Sequence, residues 1–352
     1  MTDEKLNSDE ILTRTEGSVG YVTLNRPKAL NSLNQTMIDA LTGVLTAWQD
    51  DPAIETVVLD GAGERGLCAG GDVVALRTSA LDGGAEARKF FYDEYTVNGL
   101  IGRYRKPYVA VMDGIVMGGG VGVSVHGSVR VVTDTTKLAM PEVGIGFIPD
   151  VGGTYVLAQA PGGVGLYAAL TGSTFSGADA IELGFADHFV PHDALPAFKA
   201  AIASDGVEAA LAKHAVQPPP STLAAQRHWI DECFGTAAAP LSLPDILSAL
   251  RGHSAEEARK AADVIGGRSP IAVSVTREAI RLAADHETLE DALVQEYRVS
   301  CASLRSHDFV EGIRAQLVDK DRNPQWSPAS FADVTEADIA AYFLPADPDL
   351  SF

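Results

Sequence analysis

The sequence is poor in cysteine and contains no long apolar run. Its 352 residues include three cysteines, Cys68, Cys233 and Cys301, which are too few and too scattered for a disulfide framework or a zinc site. No apolar stretch approaches the roughly 20 residues of a transmembrane helix. Residues 1–14 are charged and lack the apolar core of a secretion signal. These absences predict a cytoplasmic, bacterial protein with no membrane segment and no metal site.

Positive charge is also scarce. The chain has 27 Lys and Arg against 47 Asp and Glu, for a net charge of −20. A general nucleic-acid-binding protein needs a basic face, and attachment to an anionic membrane needs basic clusters. The composition therefore excludes both classes, although a local basic pocket for an anionic ligand remains compatible with it.

The apolar content is ordinary for a globular protein, at 46% of residues. Continuous apolar strands at 18–24, 56–60 and 108–112 are separated by helical patterns at 34–49 and 85–104, which predicts parallel βαβ units and an α/β fold. At about 150 residues per domain, the length predicts roughly two domains. We place them at 1–200, the catalytic core, and 201–352, a mostly helical region.

The second half carries several local signals. Ser254 and Glu257 fit a capping box at the start of a helix to about Val264. Helices are predicted near 271–284, 289–304 and 310–318. The tail from Phe331 has five acidic residues and no Lys or Arg, which predicts a solvated helix followed by a frayed end.

Glycine is abundant, with 34 residues, and two of its clusters imitate known motifs. Gly61–Gly66 fits the G-x-G-x-x-G pattern of dinucleotide-binding dehydrogenases, but another turn follows it where that motif needs a helix. Residues 122–126 resemble a nucleophile elbow around Ser124, but His126 stands where that turn needs a small residue. The sequence favours plain turns in both places.

Two other glycine-rich turns follow predicted strands, at Cys68–Asp72 and Met117–Gly122. Glycine lets a ligand approach the backbone closely, and a helix beginning in the second turn would add partial positive charge. Two N–H groups aimed at one carbonyl oxygen form an oxyanion hole. The alternative is a pair of structural turns between core elements.

Three carboxylates lie in apolar surroundings. Glu142 and Asp150 belong to a segment that is otherwise apolar and rich in glycine, and Glu94 lies on the apolar face of the helix predicted at 85–104. Desolvation raises the pKa of such groups, which suits acid–base or nucleophilic chemistry. For Glu94, a structural ion pair with an arginine is the competing interpretation.

Taken together, these segments resemble the crotonase (enoyl-CoA hydratase/isomerase) superfamily. The likeness covers about 17–191 and rests on four motifs: Asn25–Asn31, Cys68–Asp72, Gly114–Gly120, and Met140–Glu142 followed by Ile148–Gly153. It implies a spiral of ββα repeats with a helical C-terminal region. It also implies an acyl-CoA ligand and no separate cofactor. A homo-oligomer is compatible with it.

The resemblance assigns roles by position. Gly71 and Gly119 match the oxyanion-hole donors, which makes them catalytic together with Glu142 and Asp150. The segment from Asn25 borders coenzyme A, with Arg26 and Lys28 as phosphate contacts. The full set matched to CoA binding is Arg26, Lys28, Ala29, Leu30, Gly70 and Asp72.

One departure concerns the reaction. Hydratases carry a second glutamate where this chain has Gly122, and Asp150 stands where they have a small residue. This pattern, with C-terminal likenesses at 296–300 and 307–326, resembles the 3-hydroxyisobutyryl-CoA hydrolases of valine degradation. It implies thioester hydrolysis with Glu142 as nucleophile or general base. Asp150 would bind the substrate hydroxyl, or position water and the thiolate leaving group, and Glu94 would complete the polar end of the acyl pocket. The alternatives are an enoyl-CoA hydratase/isomerase and a non-catalytic CoA-binding or assembly protein.

Overall fold

A computed structural model describes residues 8–352, which form eight strands and sixteen α-helices besides short 3-10 and π segments. The strands are β1 (Ile11–Glu16), β2 (Val19–Leu24), β3 (Thr56–Gly61), β4 (Tyr108–Met112), β5 (Ile115–Met117), β6 (Val129–Val132), β7 (Lys137–Ala139) and β8 (His188–Phe189). The helices are α1 (Gln35–Asp50), α2 (Val73–Leu81), α3 (Ala85–Gly102), α4 (Gly119–Gly122), α5 (Gly153–Gln159), α6 (Val164–Thr171), α7 (Gly177–Glu182), α8 (Leu195–Asp205), α9 (Val207–His214), α10 (Thr222–Phe234), α11 (Leu243–Gly252), α12 (Glu256–Gly266), α13 (Pro270–Ala283), α14 (Leu289–Ser303), α15 (His307–Ile313) and α16 (Glu336–Ala340).

These elements belong to two compact units. The first contains the described residues up to Gly71, Thr96–Leu138 and Phe175–Thr222. The second contains Asp72–Tyr95, Ala139–Thr174 and Leu223–Phe352. The units are thus interleaved along the chain, whereas the sequence predicted a sequential division at residue 200.

The first unit is built on a six-stranded sheet of order β1-β2-β3-β4-β6-β8. Only β1 and β2 pair antiparallel, and every other neighbouring pair is parallel. Val58, Val109 and Val131 on the central strands are fully buried in a core shared with Phe198 of α8 and Ala210 of α9. This mixture of parallel sheet and helices confirms the predicted α/β class.

The predicted first helix is confirmed in detail. Asn34 caps α1, because its side-chain oxygen accepts a hydrogen bond from the Met37 N–H at 2.9 Å. The spacing of Met37, Leu41, Val44 and Leu45 puts all four on the buried face of the helix.

The second unit is mostly helical, and its C-terminal tail is ordered. Ile339 and Phe343 pack against a core that includes Val275 of α13, and the Asp349 carboxylate pairs with Arg298 at 2.7 Å. The predicted frayed end is therefore wrong: apolar residues among the acidic ones anchor the tail to the helices, and its last acidic residue finds a cation.

The predicted capping box at Ser254 is also wrong. Helix α12 begins at Glu256 with Ala255 as its N-cap, and no side chain caps it. The Ala255 N–H donates instead to Nδ1 of His253, and Arg259 Nη1 donates to the Ser254 carbonyl at 2.8 Å. The hydrogen bonds at the start of this helix are thus made by His253 and Arg259 and not by the Ser254 side chain. Among residues 8–352, no helix combines the length and apolarity needed to cross a membrane.

Candidate active site

The two glycine-rich turns of the first unit are held side by side by backbone hydrogen bonds. The Cys68 N–H donates to the Ile115 carbonyl and the Met117 N–H donates to the Cys68 carbonyl, each at 3.0 Å. The approach is so close that a Cβ on Gly120 would lie 2.4 Å from the Cys68 oxygen. Only glycine fits at this position without a shift of the turn at Cys68.

The amides of Gly71 and Gly119 have no hydrogen-bond acceptor within residues 8–352. Gly119 is the first residue of α4, behind Gly118, which takes a left-handed φ of 47°. A Cβ on Gly70, whose φ is 108°, would lie 3.7 Å from the Gly119 nitrogen. The structure thus places the two turns together with unused donors. Their role as an oxyanion hole stays a prediction.

The two glycine clusters that imitate known motifs, Gly61–Gly66 and 122–126, do not form those motifs in the structure. Strand β3 ends at Gly61 and the next helix, α2, begins only at Val73, so no helix begins within the G-x-G-x-x-G pattern. Ser124 is fully buried and its hydroxyl donates to the Gly120 carbonyl at 2.7 Å. It is therefore unavailable as an exposed nucleophile.

The segment predicted to border coenzyme A packs along the first glycine turn. Its anchor is Asn31, whose Nδ2 donates to the carbonyls of Ala62, Gly66 and Leu67 at 3.0–3.1 Å. The Ala69 N–H donates to the Leu30 carbonyl at 3.0 Å. The sequence assigned no role to Asn31, and the structure shows that it fixes this segment.

The predicted CoA contacts differ in their availability. Arg26 is engaged within the chain, with its Nε 3.2 Å from a Glu10 carboxylate oxygen and its Nη1 donating to the Ser32 carbonyl. Lys28 and Ala29 are exposed at the neighbouring turn. In the second unit, the Asp72 side chain caps α2 by accepting from the Ala75 N–H at 3.3 Å. Lys28 is thus the more available of the two predicted phosphate contacts.

The second unit brings the three predicted carboxylates together. Glu94 lies on α3, Glu142 opens a 3-10 turn ending at Ile145, and Asp150 precedes α5. Their side chains are almost fully buried, with exposures of 2%, 6% and 5%. One oxygen of Glu94 and one of Glu142 have no hydrogen-bond partner in the described structure.

Burial and mutual repulsion set the proton affinity of these groups. Burial, and next the charge of Asp150, raise the pKa of both Glu94 and Glu142 well above the usual range. No cation pairs with Glu94 in the described part of the chain, so the alternative of a structural Arg–Glu pair is excluded. The arrangement can supply strong bases once a proton is lost, or acids before that.

Asp150 is held by Tyr95, a residue to which the sequence assigned no role. The Tyr95 hydroxyl donates to Asp150 Oδ2 at 2.6 Å and lies 2.6 Å from Ser300 Oγ of α14. Burial raises the pKa of Asp150 to about 7, although the hydrogen bond from Tyr95 and a backbone hydrogen bond lower it. Asp150 can therefore change protonation state near neutral pH.

A fourth buried carboxylate, Glu296 of α14, holds the backbone that follows Asp150. It accepts from the Gly152 N–H at 2.6 Å and from the N–H and hydroxyl of Thr154 at 2.9 and 2.5 Å. Val151, between Asp150 and Gly152, has a φ of 55°, a strained value for a β-branched residue. Burial raises the pKa of Glu296 to about 8, against the effect of these donors.

Because of the four buried carboxyls, we expect the stability of the protein to fall as the pH rises above about 5. All four have pKa values above those of free side chains, so the folded state binds more protons than the unfolded state from about pH 4.5 upward. The free energy of unfolding is then expected to fall, by about 1.4 kcal/mol per pH unit for each such proton. Thermal unfolding between pH 5.5 and 8 measures this slope. Glu142→Gln should flatten it and Glu287→Gln, at an exposed position, should not. Equal slopes in both variants would contradict the account.

Comparisons with known proteins identify the family of the chain. The enoyl-CoA hydratase/isomerase family model matches residues 19–343. The mitochondrial 3-hydroxyisobutyryl-CoA hydrolase of Xenopus tropicalis is 38% identical over 97% of this chain and 91% of its own. The human protein of that name is 35% identical over 96% and 89%.

Two solved structures are similar over nearly their whole length. A carnitinyl-CoA dehydratase from Mycobacterium thermoresistibile is 62% identical, with a TM-score of 0.94, and the match covers 98% of this chain and 99% of that one. An enoyl-CoA hydratase from Rhodobacter sphaeroides is 36% identical, with a TM-score of 0.91 and coverages of 97% and 100%. The chain belongs to the enoyl-CoA hydratase/isomerase family of the crotonase superfamily and has its fold.

Proposed function

We propose that the protein hydrolyses an acyl-CoA thioester, with 3-hydroxyisobutyryl-CoA as substrate and 3-hydroxyisobutyrate and CoA as products. The observation that carries this proposal is the pairing of Glu142 with Asp150 in a buried cluster, while the helix α4 has a glycine, Gly122, where a hydratase places its second glutamate. The curated relatives that bear the hydrolase name support the same reaction.

The proposed chemistry begins at the thioester carbonyl. Glu142, once ionised, either attacks this carbon or removes a proton from the water that attacks it. The carbonyl oxygen becomes an oxyanion, which accepts hydrogen bonds from the N–H groups of Gly71 and Gly119. When the oxyanion collapses, the carbon–sulfur bond breaks and CoA leaves as a thiolate. If Glu142 attacked directly, a water then hydrolyses the acyl-enzyme.

The remaining polar groups are proposed to orient the acyl group. Asp150 accepts a hydrogen bond from the substrate hydroxyl, and Glu94 closes the polar end of the acyl pocket. The exposed ammonium of Lys28 is the proposed contact to the CoA phosphates. Water is the only reactant besides the thioester, so the proposal includes no metal and no redox cofactor.

CoA release from a panel of acyl-CoA thioesters tests this proposal. A thiol reagent should report fast turnover of 3-hydroxyisobutyryl-CoA, slower turnover of related 3-hydroxyacyl thioesters, and little with acyl groups that lack the hydroxyl. Crotonyl-CoA should be hydrated at most slowly. Tight CoA binding without CoA release from any thioester would instead indicate a non-catalytic CoA-binding protein.

Dehydration of a hydroxyacyl-CoA is the second candidate. It is favoured by the 62% identity to the carnitinyl-CoA dehydratase structure. That reaction forms a conjugated double bond and leaves the thioester intact, so absorbance of the enoyl thioester rises and no thiol appears. Recording both signals on one hydroxyacyl-CoA sample separates the two reactions.

A further inference from the structure

Helix α14, far along the chain from the proposed catalytic residues, reaches Asp150 from two directions in the second unit. Its Ser300 hydroxyl lies 2.6 Å from the Tyr95 hydroxyl. One turn earlier, Glu296 accepts three hydrogen bonds from Gly152 and Thr154. Both contacts are fully buried, so water cannot replace them.

The number of hydroxyl hydrogens determines which group donates in the two hydrogen bonds of Tyr95. A tyrosine hydroxyl has one hydrogen, and the Asp150 carboxylate at 2.6 Å is its acceptor. While Asp150 is ionised it can only accept, so Tyr95 then accepts from Ser300, whose hydroxyl hydrogen can turn toward it. The result is a relay in which Ser300 donates to Tyr95 and Tyr95 donates to Asp150 Oδ2.

We propose that Tyr95, Ser300 and Glu296 are positioning residues that fix the orientation and protonation of Asp150. The relay holds the carboxylate from one side, and Glu296 holds the backbone that follows it, where Val151 has a strained φ of 55°. A β-branched residue keeps such a φ only where its surroundings enforce it. This inference rests on the proposed role of Asp150 in thioester hydrolysis.

The charged groups around Asp150 explain why the hydrogen bond from Tyr95 matters for its ionisation. The ionisable groups that act on it are Glu94 and Tyr95 of α3, Glu142 of the 3-10 turn and Glu296 of α14. All four are acidic, so none of them can stabilise an ionised Asp150 by an opposite charge. The hydrogen bond from Tyr95 lowers the pKa of Asp150 and thus partly takes the place of a cation.

The experiment compares Tyr95→Phe with Tyr155→Phe, a change at a tyrosine of α5 whose hydroxyl makes no hydrogen bond in the described structure. In kcat/KM for thioester hydrolysis, the ionisation near pH 7 should move upward by about one pH unit or more in Tyr95→Phe. Ser300→Ala should move it in the same direction by less, and Tyr155→Phe should leave it in place. A uniform loss of rate with an unchanged profile would overturn the proposal.

A second measurement needs no turnover. A double-mutant cycle of Tyr95→Phe and Asp150→Asn on the free energy of unfolding should show coupling that is stronger at pH 8, where Asp150 is ionised, than at pH 5. Additive effects at both pH values would refute the relay. If the wild-type protein releases no CoA from any thioester, the proposed function fails, and this cycle still decides whether Tyr95 positions Asp150.

Discussion

Replacing Glu142 by glutamine should lower kcat for thioester hydrolysis by about 10²–10⁴-fold, the range typical of a lost acid–base group. Glutamine keeps the size of the side chain but can neither attack a carbonyl nor accept a proton from water. The KM for the acyl-CoA should change little, because the proposed CoA contacts lie elsewhere, at residues such as Lys28. Steady-state kinetics with the thiol assay measure both quantities.

The stability of the same variant separates chemistry from folding. Glu142 is buried with an unpartnered oxygen, and an uncharged amide avoids the cost of ionising it there. Glu142→Gln should therefore unfold at the same or a higher temperature than the wild type at pH 8, while Glu287→Gln at the surface should keep full activity. Near-normal hydrolysis by Glu142→Gln would remove Glu142 from its proposed role.

Replacing Gly119 by proline should lower kcat by about 10²–10³-fold, the usual effect of removing one oxyanion-hole donor. Proline is tolerated at the first position of a helix, which Gly119 occupies in α4, and its ring nitrogen carries no N–H to donate. The loss should appear in kcat more than in KM, because the charge on the carbonyl oxygen develops in the transition state.

Gly119→Ala is the matched control, because alanine adds a Cβ at the same site but keeps the N–H. We expect its kcat to lie well above that of the proline variant. Thermal unfolding and CoA binding of both variants show whether the fold and the ligand site persist. Equal kcat values in the two variants would mean that this amide is not an oxyanion donor.

Local patterns were sufficient to predict the elements on which these experiments depend. Helix α1 follows from the spacing of its apolar residues and the Asn34 cap, and the strands β3 and β4 follow from short apolar runs. Burial of Glu94, Glu142 and Asp150 was predicted from their apolar neighbours and is observed. These features depend on residues close together in sequence.

The missed features depend on residues far apart. Tyr95 and Ser300 are separated by 205 positions, and nothing in either local sequence indicates the other. Glu296 was quoted as part of a likeness but was given no role, because a buried glutamate is recognisable as a backbone clamp only beside the amides that it binds. The Ser254 capping box failed for a different, local reason: the pattern does not show which neighbouring donors and acceptors, here Arg259 and His253, bond to the backbone at the start of the helix.

The second unit is built from segments that lie far apart in the sequence, so the ribosome completes its contacts in a fixed order. Gly152 and Glu296, which hold the turn after Asp150, are 144 positions apart, so at 5–20 residues per second a ribosome makes the clamp roughly 7–30 s after the turn that it holds. Throughout that interval the nascent acidic cluster lacks the helix that orders it. The turn after Asp150 can therefore become ordered only when translation is nearly complete, and we expect a chain that ends before α14 to lack hydrolysis activity.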